Sequence, residues 1–198
     1  MSNTIQQGWI AKLELNFSAS RSKTFLSKRK HIGPLTIQRP FYPEEGLCHL
    51  YLLHPPGGVV GDDQISIGVK TDSDSSALIT TPGATKIYRS NGHKCSTINQ
   101  NFTVANNSSL EWLPMETIIF PGARSKFSTK FSLSGNARVA AWEIHCLGRP
   151  VINESFNAGK LEFSFELWRD ESPVLLDKLI INKSELDKIG RASCRERV

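Results

Sequence analysis

The side chains best suited to chemistry are an imidazole and two adjacent carboxylates in the first third of the chain. His54 is followed closely by Asp62 and Asp63. An imidazole beside carboxylates can transfer protons as a general acid–base pair, or the three groups can hold a metal ion. Either use would make this stretch the centre of an enzyme, and that is one hypothesis to compare with the others.

The recurrent catalytic motifs, however, are missing from the sequence. It has no GxxxxGK followed by Ser or Thr for nucleotide phosphates, no GxSxG nucleophile elbow and no HExxH metal helix. Gly57, Gly58 and Gly61 do share one loop. A phosphate-binding loop would lead straight into a helix, whereas the next run, at 64–70, has the pattern of a strand. We therefore predict a tight turn with a positive φ at these glycines, and no enzymatic activity for the chain.

Residue types that bind metals tightly are dispersed. The four cysteines include no CxxC pair, and in apolar runs we expect them to act as small hydrophobic residues. The five histidines are scattered as well. His49 and His145 lie in strand-like runs, where we expect hydrogen-bonded structural roles. The sequence predicts no closed metal site and no stably bound cofactor.

The end of the chain differs in character from the rest. Residues 189–198 resemble the in-frame translation of a sequencing-adapter oligonucleotide. We therefore treat residues 1–188 as one β-rich domain, incomplete at its C-terminus, and residues 189–198 as an artefactual tail. The formal net charge is +5. Without the three arginines and one glutamate of the tail, 21 basic and 18 acidic residues remain, a net charge of +3.

Composition narrows the partners and the compartment. A net charge this small argues against nucleic acid as the partner. No apolar run approaches the roughly 20 residues of a membrane span. The first residues are polar and lack the basic and apolar parts of a secretory signal. We expect a cytoplasmic protein that binds neither nucleic acid nor membrane.

The elements that must position these residues are strands. Apolar residues alternate with polar ones at 9–17 and again at 161–167, the pattern of half-buried strands. Shorter strand-like runs, separated by Gly, Pro, Asn, Asp and Ser, lie at 35–41, 47–54, 64–70, 77–81, 85–90, 102–105, 110–113, 117–120, 126–133, 138–147 and 174–181. A short helix is possible at 184–188, and no internal repeat is clear. The sequence predicts a mostly β fold, a layered stack of β-sheets with few short helices.

One basic run stands out between the first two strand-like segments. It contains Arg21, Lys23, Lys28, Arg29, Lys30 and His31. A patch for nucleic acid or an acidic partner is one interpretation. We favour a solvated hairpin loop, because Phe25 is the only nearby aromatic that could stack on a base.

Five blocks of sequence resemble the UreD/UreH family of urease accessory proteins. The central block is HPPGGVVG at 54–61. QRPFYPE at 38–44 precedes it, and TTPGATKIYRS at 80–90, LEWLP at 110–114 and WEIHCLGRP at 142–150 follow in the family's order. Two positions depart from the family pattern: Asp62 replaces a glycine, and Met115 stands where a glutamine is common. Asp63 and Glu116 match the acidic members of those motifs.

The resemblance implies a scaffold for nickel loading. Family members bind apo-urease and a helical accessory protein of the UreF type, which docks a GTPase of the UreG type that carries nickel. The ion is thought to pass transiently through the scaffold. Since a conduit must release nickel, dispersed acidic side chains suit it better than a closed cage. The candidates for the path are Asp63, Glu111, Glu116 and Glu143. The alternative is a generic β-sandwich protein-binding module without a role in metal delivery.

Overall fold

The computed structural model describes residues 8–21 and 23–182. The short helix expected at 184–188 and the tail at 189–198 lie outside the described residues. Within them no helix is long and apolar enough to cross a bilayer. The one helix described is a single 3-10 turn at Pro150–Ile152.

Sixteen strands account for most of the described chain. They are numbered in chain order: β1 (Ile10–Ser20), β2 (Lys23–Ile32), β3 (Thr36–Ile37), β4 (Cys48–Leu53), β5 (Gln64–Thr71), β6 (Ser76–Thr80), β7 (Thr85–Ile87), β8 (Ser96–Val104), β9 (Ser109–Trp112), β10 (Thr117–Ile119), β11 (Arg124–Leu133), β12 (Arg138–Ala141), β13 (His145–Arg149), β14 (Glu154–Ser155), β15 (Lys160–Arg169) and β16 (Ser172–Asn182).

The strands wind as a β-solenoid with three sheets around its axis. One coil runs through β5, β6 and β7, the next through β8, β9 and β10, and the third through β11, β12 and β13. Each strand pairs in parallel with its counterpart in the adjacent coil. The sheets have seven, five and four strands, in the orders β16-β15-β11-β8-β5-β1-β2, β12-β9-β6-β4-β3 and β14-β13-β10-β7. Because of this winding, residues far apart in sequence form rows along the axis.

A ladder of turns holds the coils in register at one edge. Ser75, Ser108 and Ala137 each close a turn by donating the backbone N–H to the residue three positions earlier, at 3.1 to 3.2 Å. The first residue of a turn also donates its N–H to a carbonyl of the previous coil. Ala105 donates to the Thr71 carbonyl at 3.1 Å, and Ser134 donates to the Val104 carbonyl at 3.0 Å. The backbone groups of the turns are therefore satisfied coil by coil, as buried peptide groups require.

The core fills the space between the sheets. Alternation along the long strands turns one set of side chains inward, so Phe17, Phe102 and Phe131 are fully buried. The rings of Phe102 and Phe131 stack with centroids 4.5 Å apart. Burying a side chain of this size contributes roughly 1.5–3 kcal/mol. Stacked aromatics on neighbouring strands therefore bind successive coils together.

The predicted fold class is confirmed, since the chain is mostly β and its sheets are stacked. Two details differ. The run at 138–147 is two strands, β12 and β13, which belong to different sheets. The repeat that the sequence did not show is present in space. Gln64, Ser96, Arg124 and Lys160 begin equivalent strands at unequal spacings of 32, 28 and 36 residues, so no fixed period appears in the sequence.

The basic run is a strand and not the hairpin loop that we favoured. Lys28, Arg29, Lys30 and His31 all belong to β2, which pairs antiparallel with β1 at one edge of the seven-stranded sheet. Most of β2 is exposed on both faces. An edge strand of this kind needs no apolar alternation, and charged side chains protect it from pairing with other chains. The sequence signal for a strand was therefore absent.

The opposite edge of the same sheet has a different character. β16 exposes Leu175 and Leu179 on the face that it shares with buried Leu161, and Leu176 and Ile180 on the other face. These four side chains are between 41% and 58% exposed. The strand is therefore apolar on both faces, and it has no neighbour on its outer side among the described residues.

We expect this edge to make the 198-residue chain self-associate, because a long apolar edge strand is a template for pairing. Changing Leu176 and Ile180 together to Lys should lower the apparent mass in sedimentation velocity at high protein concentration. The melting temperature should stay close to that of the parent, since both side chains are exposed. The matched control is a double change of Lys28 and Lys30 to Gln on the β2 edge. Equal self-association of all three proteins would show that β16 is not the contact.

Candidate functional site

A largely apolar cavity with a few polar side chains in its wall lies inside the solenoid, where the three sheets converge. Its volume is about 80 Å³, and its wall is built from the starts of strands in the four-stranded sheet and the inward face of the seven-stranded sheet. Thr85, Thr117 and His145 occupy equivalent positions in three successive coils and form one row of that wall. Gln100 pairs in register with Thr129 on the facing sheet. The coil stacking thus places polar side chains along the axis.

Glu143 and His145 form a pair in this wall. The carboxylate Oε1 of Glu143 accepts a short hydrogen bond from the Thr129 hydroxyl, and its Oε2 lies 3.6 Å from His145 Nε2. The imidazole packs against Phe163, with ring centroids 4.2 Å apart, and against Phe127, at 5.4 Å. The two side chains are only 16% and 21% exposed. A carboxylate and an imidazole are therefore fixed side by side in a largely apolar surrounding.

Three buried polar atoms of this wall have no hydrogen-bond partner among the described residues. They are Gln100 Oε1, Trp112 Nε1 and His145 Nδ1. An unsatisfied buried donor or acceptor typically costs about 1–3 kcal/mol. A cavity needs only about 10–15 Å³ to admit one water, so this one has room for a polar or hydrated guest. The wall offers both donors and acceptors to such a guest.

A second hollow of about 320 Å³, the vestibule, lies next to the first cavity. The two cavities share Leu52, His54, Thr81 and Thr85 in their walls. His54 therefore stands at their junction. Burial lowers the pKa of His54 below its ordinary value, and the Asp63 carboxylate opposes this only in part. A neutral imidazole is the form that binds a metal ion.

The HPPGG loop shapes the vestibule. Gly57 has φ of 75° and closes a turn by donating its N–H to the His54 carbonyl at 3.0 Å, which confirms the predicted turn. Gly58 serves another purpose, since a Cβ there would lie 2.2 Å from the Tyr88 ring. Val59 then pairs with β7 through its N–H to the Lys86 carbonyl, at 2.8 Å.

The two aspartates serve the loop itself. Asp63 is buried, and its two carboxylate oxygens accept the backbone N–H groups of Trp9, at 2.8 Å, and Val60, at 2.9 Å. Asp62 lies 3.0 Å from the Lys94 ammonium and has φ of 70°. That left-handed backbone explains why a glycine suits this position in the family pattern. Among the described residues, neither carboxylate is hydrogen-bonded to His54, the arrangement that an acid–base pair would need.

The four path candidates are not brought together. Only Glu143 lines the cavity. Asp63 lines a separate hollow with Trp9 and Lys94. Glu111 is adjacent to the inward-facing, buried Trp112 in β9 and so points to the opposite side of its sheet. Glu116 precedes β10, and its backbone carbonyl accepts a hydrogen bond from the Thr85 N–H at 3.0 Å. No group of three His, Cys, Asp or Glu side chains that could hold a metal ion occurs within residues 8–21 and 23–182.

Sequence reasoning did not include three residues of this wall among the candidates for the nickel path. His145 follows Glu143 by two positions, and that spacing in a strand puts both side chains on one face, so the pair was detectable. Gln100 was missed because the strand was expected to begin at Phe102, whereas β8 begins at Ser96. His54 was recognised as reactive, but its place between two cavities depends on coil stacking. The free cysteines Cys48, Cys95 and Cys146 line neither cavity.

Comparison with known proteins identifies the family. A sequence model described as UreD urease accessory protein matches residues 10–196. The chain belongs to this family. A urease accessory protein UreD of Enterobacter sp. (strain 638) is 50% identical over 183 residues, 92% of this chain and 66% of the relative. The protein of Klebsiella aerogenes with the same name is 47% identical over 186 residues, and a putative UreD homologue of Escherichia coli O157:H7 is 50% identical over 186.

The match to UreD proteins covers nearly all of this chain but not all of theirs. The chain spans 66% to 75% of the length of these three relatives. Every part of the cavity wall, from Leu35 to His145, lies inside the matched region. The site can therefore be interpreted as part of a UreD fold.

We predict that Gly58→Val destabilises the protein by about 1–3 kcal/mol, because the new side chain would overlap the Tyr88 ring. The control is Gly83→Ala on the opposite side of the vestibule, where a Cβ meets no atom within 4 Å. Urea unfolding followed by tryptophan fluorescence measures both. If the Gly58→Val protein were as stable as Gly83→Ala, position 58 would not need to be a glycine.

We also predict that stability falls on acidification because of His54. In the folded protein its pKa lies below the ordinary 6.5, so the unfolded chain binds the proton first as the pH drops. This contribution is present above pH 6.5 and is lost as the pH falls from there through the folded pKa. Replacing His54 by Gln should flatten the dependence of the unfolding free energy on pH between 7.5 and 5.5. The exposed His93, changed to Gln, should leave the parent's slope unaltered, and identical slopes for both variants would contradict the assignment.

Proposed function

We propose that this chain is a scaffold of urease maturation that binds apo-urease and lets nickel reach the urease active site. The relatives are named urease accessory proteins, and membership in their family supports the same role here. We propose as further partners a helical accessory protein of the UreF type and, through it, a GTPase of the UreG type. The chain would act without turnover and without a resident cofactor, in the cytoplasm.

The observation that carries the proposal is a pair of neighbouring cavities that share His54 and three other wall residues. Nickel accepts imidazole nitrogen and carboxylate or water oxygen. Along the proposed route an ion would enter the vestibule, meet the imidazole of His54 at the junction, and pass to Glu143 and His145 in the inner cavity. Gln100 Oε1 is one more acceptor on that wall. Each stop supplies one or two ligands, and the ion would keep part of its water shell.

Such a route favours passage over storage. A tight nickel site would need several protein ligands converging on one point, and the paired Glu143 and His145 supply two at most. Thr129 already holds one oxygen of Glu143. An ion bound there would be shared with water, so it would leave readily. We accordingly replace the four acidic candidates by a path in which Glu143 is kept and His54, His145 and Gln100 are added.

The inner cavity also has an apolar rim that suits a protein partner. Met115 and Ile144 line it and are 46% and 54% exposed. Trp142, which is 48% exposed, donates its Nε1–H to the Pro114 carbonyl at 2.9 Å. Exposed apolar groups around an opening are typical of an interface. A partner seated on this rim would receive or deliver the ion away from bulk water.

The test compares Glu143→Gln with Glu111→Gln in a host that carries the urease genes and lacks its own copy of this gene. The first change removes the charge in the cavity and keeps an oxygen for the Thr129 hydroxyl, and the second removes a matched charge outside it. We expect Glu143→Gln to lower the nickel content of purified urease roughly tenfold, as loss of a supporting ligand does at metal sites. Glu111→Gln should leave the nickel content unchanged.

Three results would decide against the proposal. If Glu143→Gln, His54→Gln and His145→Gln all load urease normally, nickel does not use these cavities. If calorimetry finds one nanomolar nickel site in the isolated chain, the protein stores nickel and does not conduct it. If urease is loaded equally well without this chain, the alternative of a binding module without a role in metal delivery is the better description.

A further inference from the structure

Away from the cavities, the outer face of the seven-stranded sheet carries a polar hollow. Its volume is about 420 Å³, and it lies over the central strand β5. The floor is Gly68, which pairs in register with Glu14 of β1 on one side and with Asn101 of β8 on the other. The hollow exists because the row from Glu14 to Asn101 has no side chain at its centre.

The fold itself does not require this glycine. Its φ is not in the left-handed region, and a Cβ added there would meet Glu14 Cγ at 3.8 Å and the Leu13 carbonyl at 4.0 Å, which are ordinary contacts. Glycine weakens a strand interior, and in that position it often marks a close approach by a ligand or another chain. Packing within the fold therefore does not explain the glycine at position 68. A ligand or partner group that occupies the hollow would explain it better.

The surroundings of the hollow are positively charged. Lys28 and Lys70 line it, each next to Asn16 in the sheet register. Lys12 lies 2.7 Å from Glu14, and Lys30 pairs with Glu14 across the strands. The pKa of Glu14 is lowered first by its hydrogen bond to Lys12 and also by the fields of Lys30 and Lys28. Counting Glu14 and Asp72, which binds Asn16 at 3.0 Å, four lysines face two carboxylates, a net charge of +2.

We propose that this hollow is a docking site for an acidic segment of a partner protein, with one carboxylate side chain seated over Gly68. Lys28 and Lys70 would pair with the carboxylate, and the Asn101 amide can donate to it. A charge-assisted bond of this kind is among the stronger polar contacts at a protein surface. The inference gives a role to Lys28 and Lys30 of the basic run, which the nickel route does not use. It does not depend on the proposed function.

Nucleic acid fits the same surface less well. None of the residues that line the hollow is aromatic, so bases would have no platform for stacking. The ionised Glu14 at one side of the hollow would repel a continuous phosphate chain more than it repels a single carboxylate flanked by lysines. The spacing of charges favours a protein segment with separated acidic residues.

The experiment titrates the purified chain with a labelled hexaglutamate peptide at low salt and follows binding by fluorescence anisotropy and by amide NMR. We expect shifts confined to Gly68, Asn101 and their neighbours. Gly68→Val fills the hollow at a site that accepts a side chain, so its melting temperature should equal or exceed the parent's while binding weakens roughly tenfold. Lys70→Glu should weaken binding similarly.

The control is Lys126→Glu, a matched charge reversal on the same face that touches Glu162 at 3.5 Å and lies outside the hollow. It should bind the peptide within about twofold of the parent. Parent-like binding by Gly68→Val, or equal losses for Lys70→Glu and Lys126→Glu, would overturn the proposal. So would equal affinity for a short oligonucleotide, because the surface would then recognise any polyanion.

Discussion

The structure depends on parallel pairing of each strand with its counterpart in the next coil. Backbone hydrogen bonds along the axis satisfy the peptide groups of three sheets, and the ladder of turns does the same at one edge. This pairing fixes which side chains share a row, because register in a sheet determines the face of every residue. The interior rows are thus set by the backbone, and both the apolar core and the polar wall follow from them.

The unsatisfied polar atoms in the cavity wall destabilise the fold, and packing in the rest of the solenoid offsets this. Gln100, Trp112 and His145 each leave a buried atom unsatisfied, beside aromatic rings that would pack well with apolar neighbours. A solenoid can sustain such a defect because the coils on either side hold the strands in place. The Phe102–Phe131 stack and the fully buried Leu110 flank the same interior. Rigid walls around unsatisfied groups favour weak, reversible contacts with a polar guest.

The sequence predicted strands wherever one face is buried and the other exposed, since alternation is then visible. It failed where a strand carries charged side chains on both faces, as at Lys28–His31 in β2, and where a polar residue faces inward, as at Gln100. It also gave no sign of the coil repeat, because loops of different length hide the period. Asp62 and Asp63 were recognised as unusual, but their turn geometry depends on contacts with Trp9 and Lys94 from other parts of the chain. Residue types were therefore easier to interpret than their neighbours in space.

The apolar strand β16, which has no neighbour on its outer side within residues 8–21 and 23–182, has a consequence for how such a protein is made. In a solenoid each finished coil is a template on which the next one adds, so folding can follow synthesis from the N-terminus with little search. At every stage the newest strand is the exposed one, and it becomes an interior strand only when its successor arrives. β16, with Leu176 and Ile180 exposed, has the apolar composition of a strand that pairing would protect. A pause in translation at this point would leave the apolar strand exposed. The length of the pause would then set how much nascent protein is lost to aggregation.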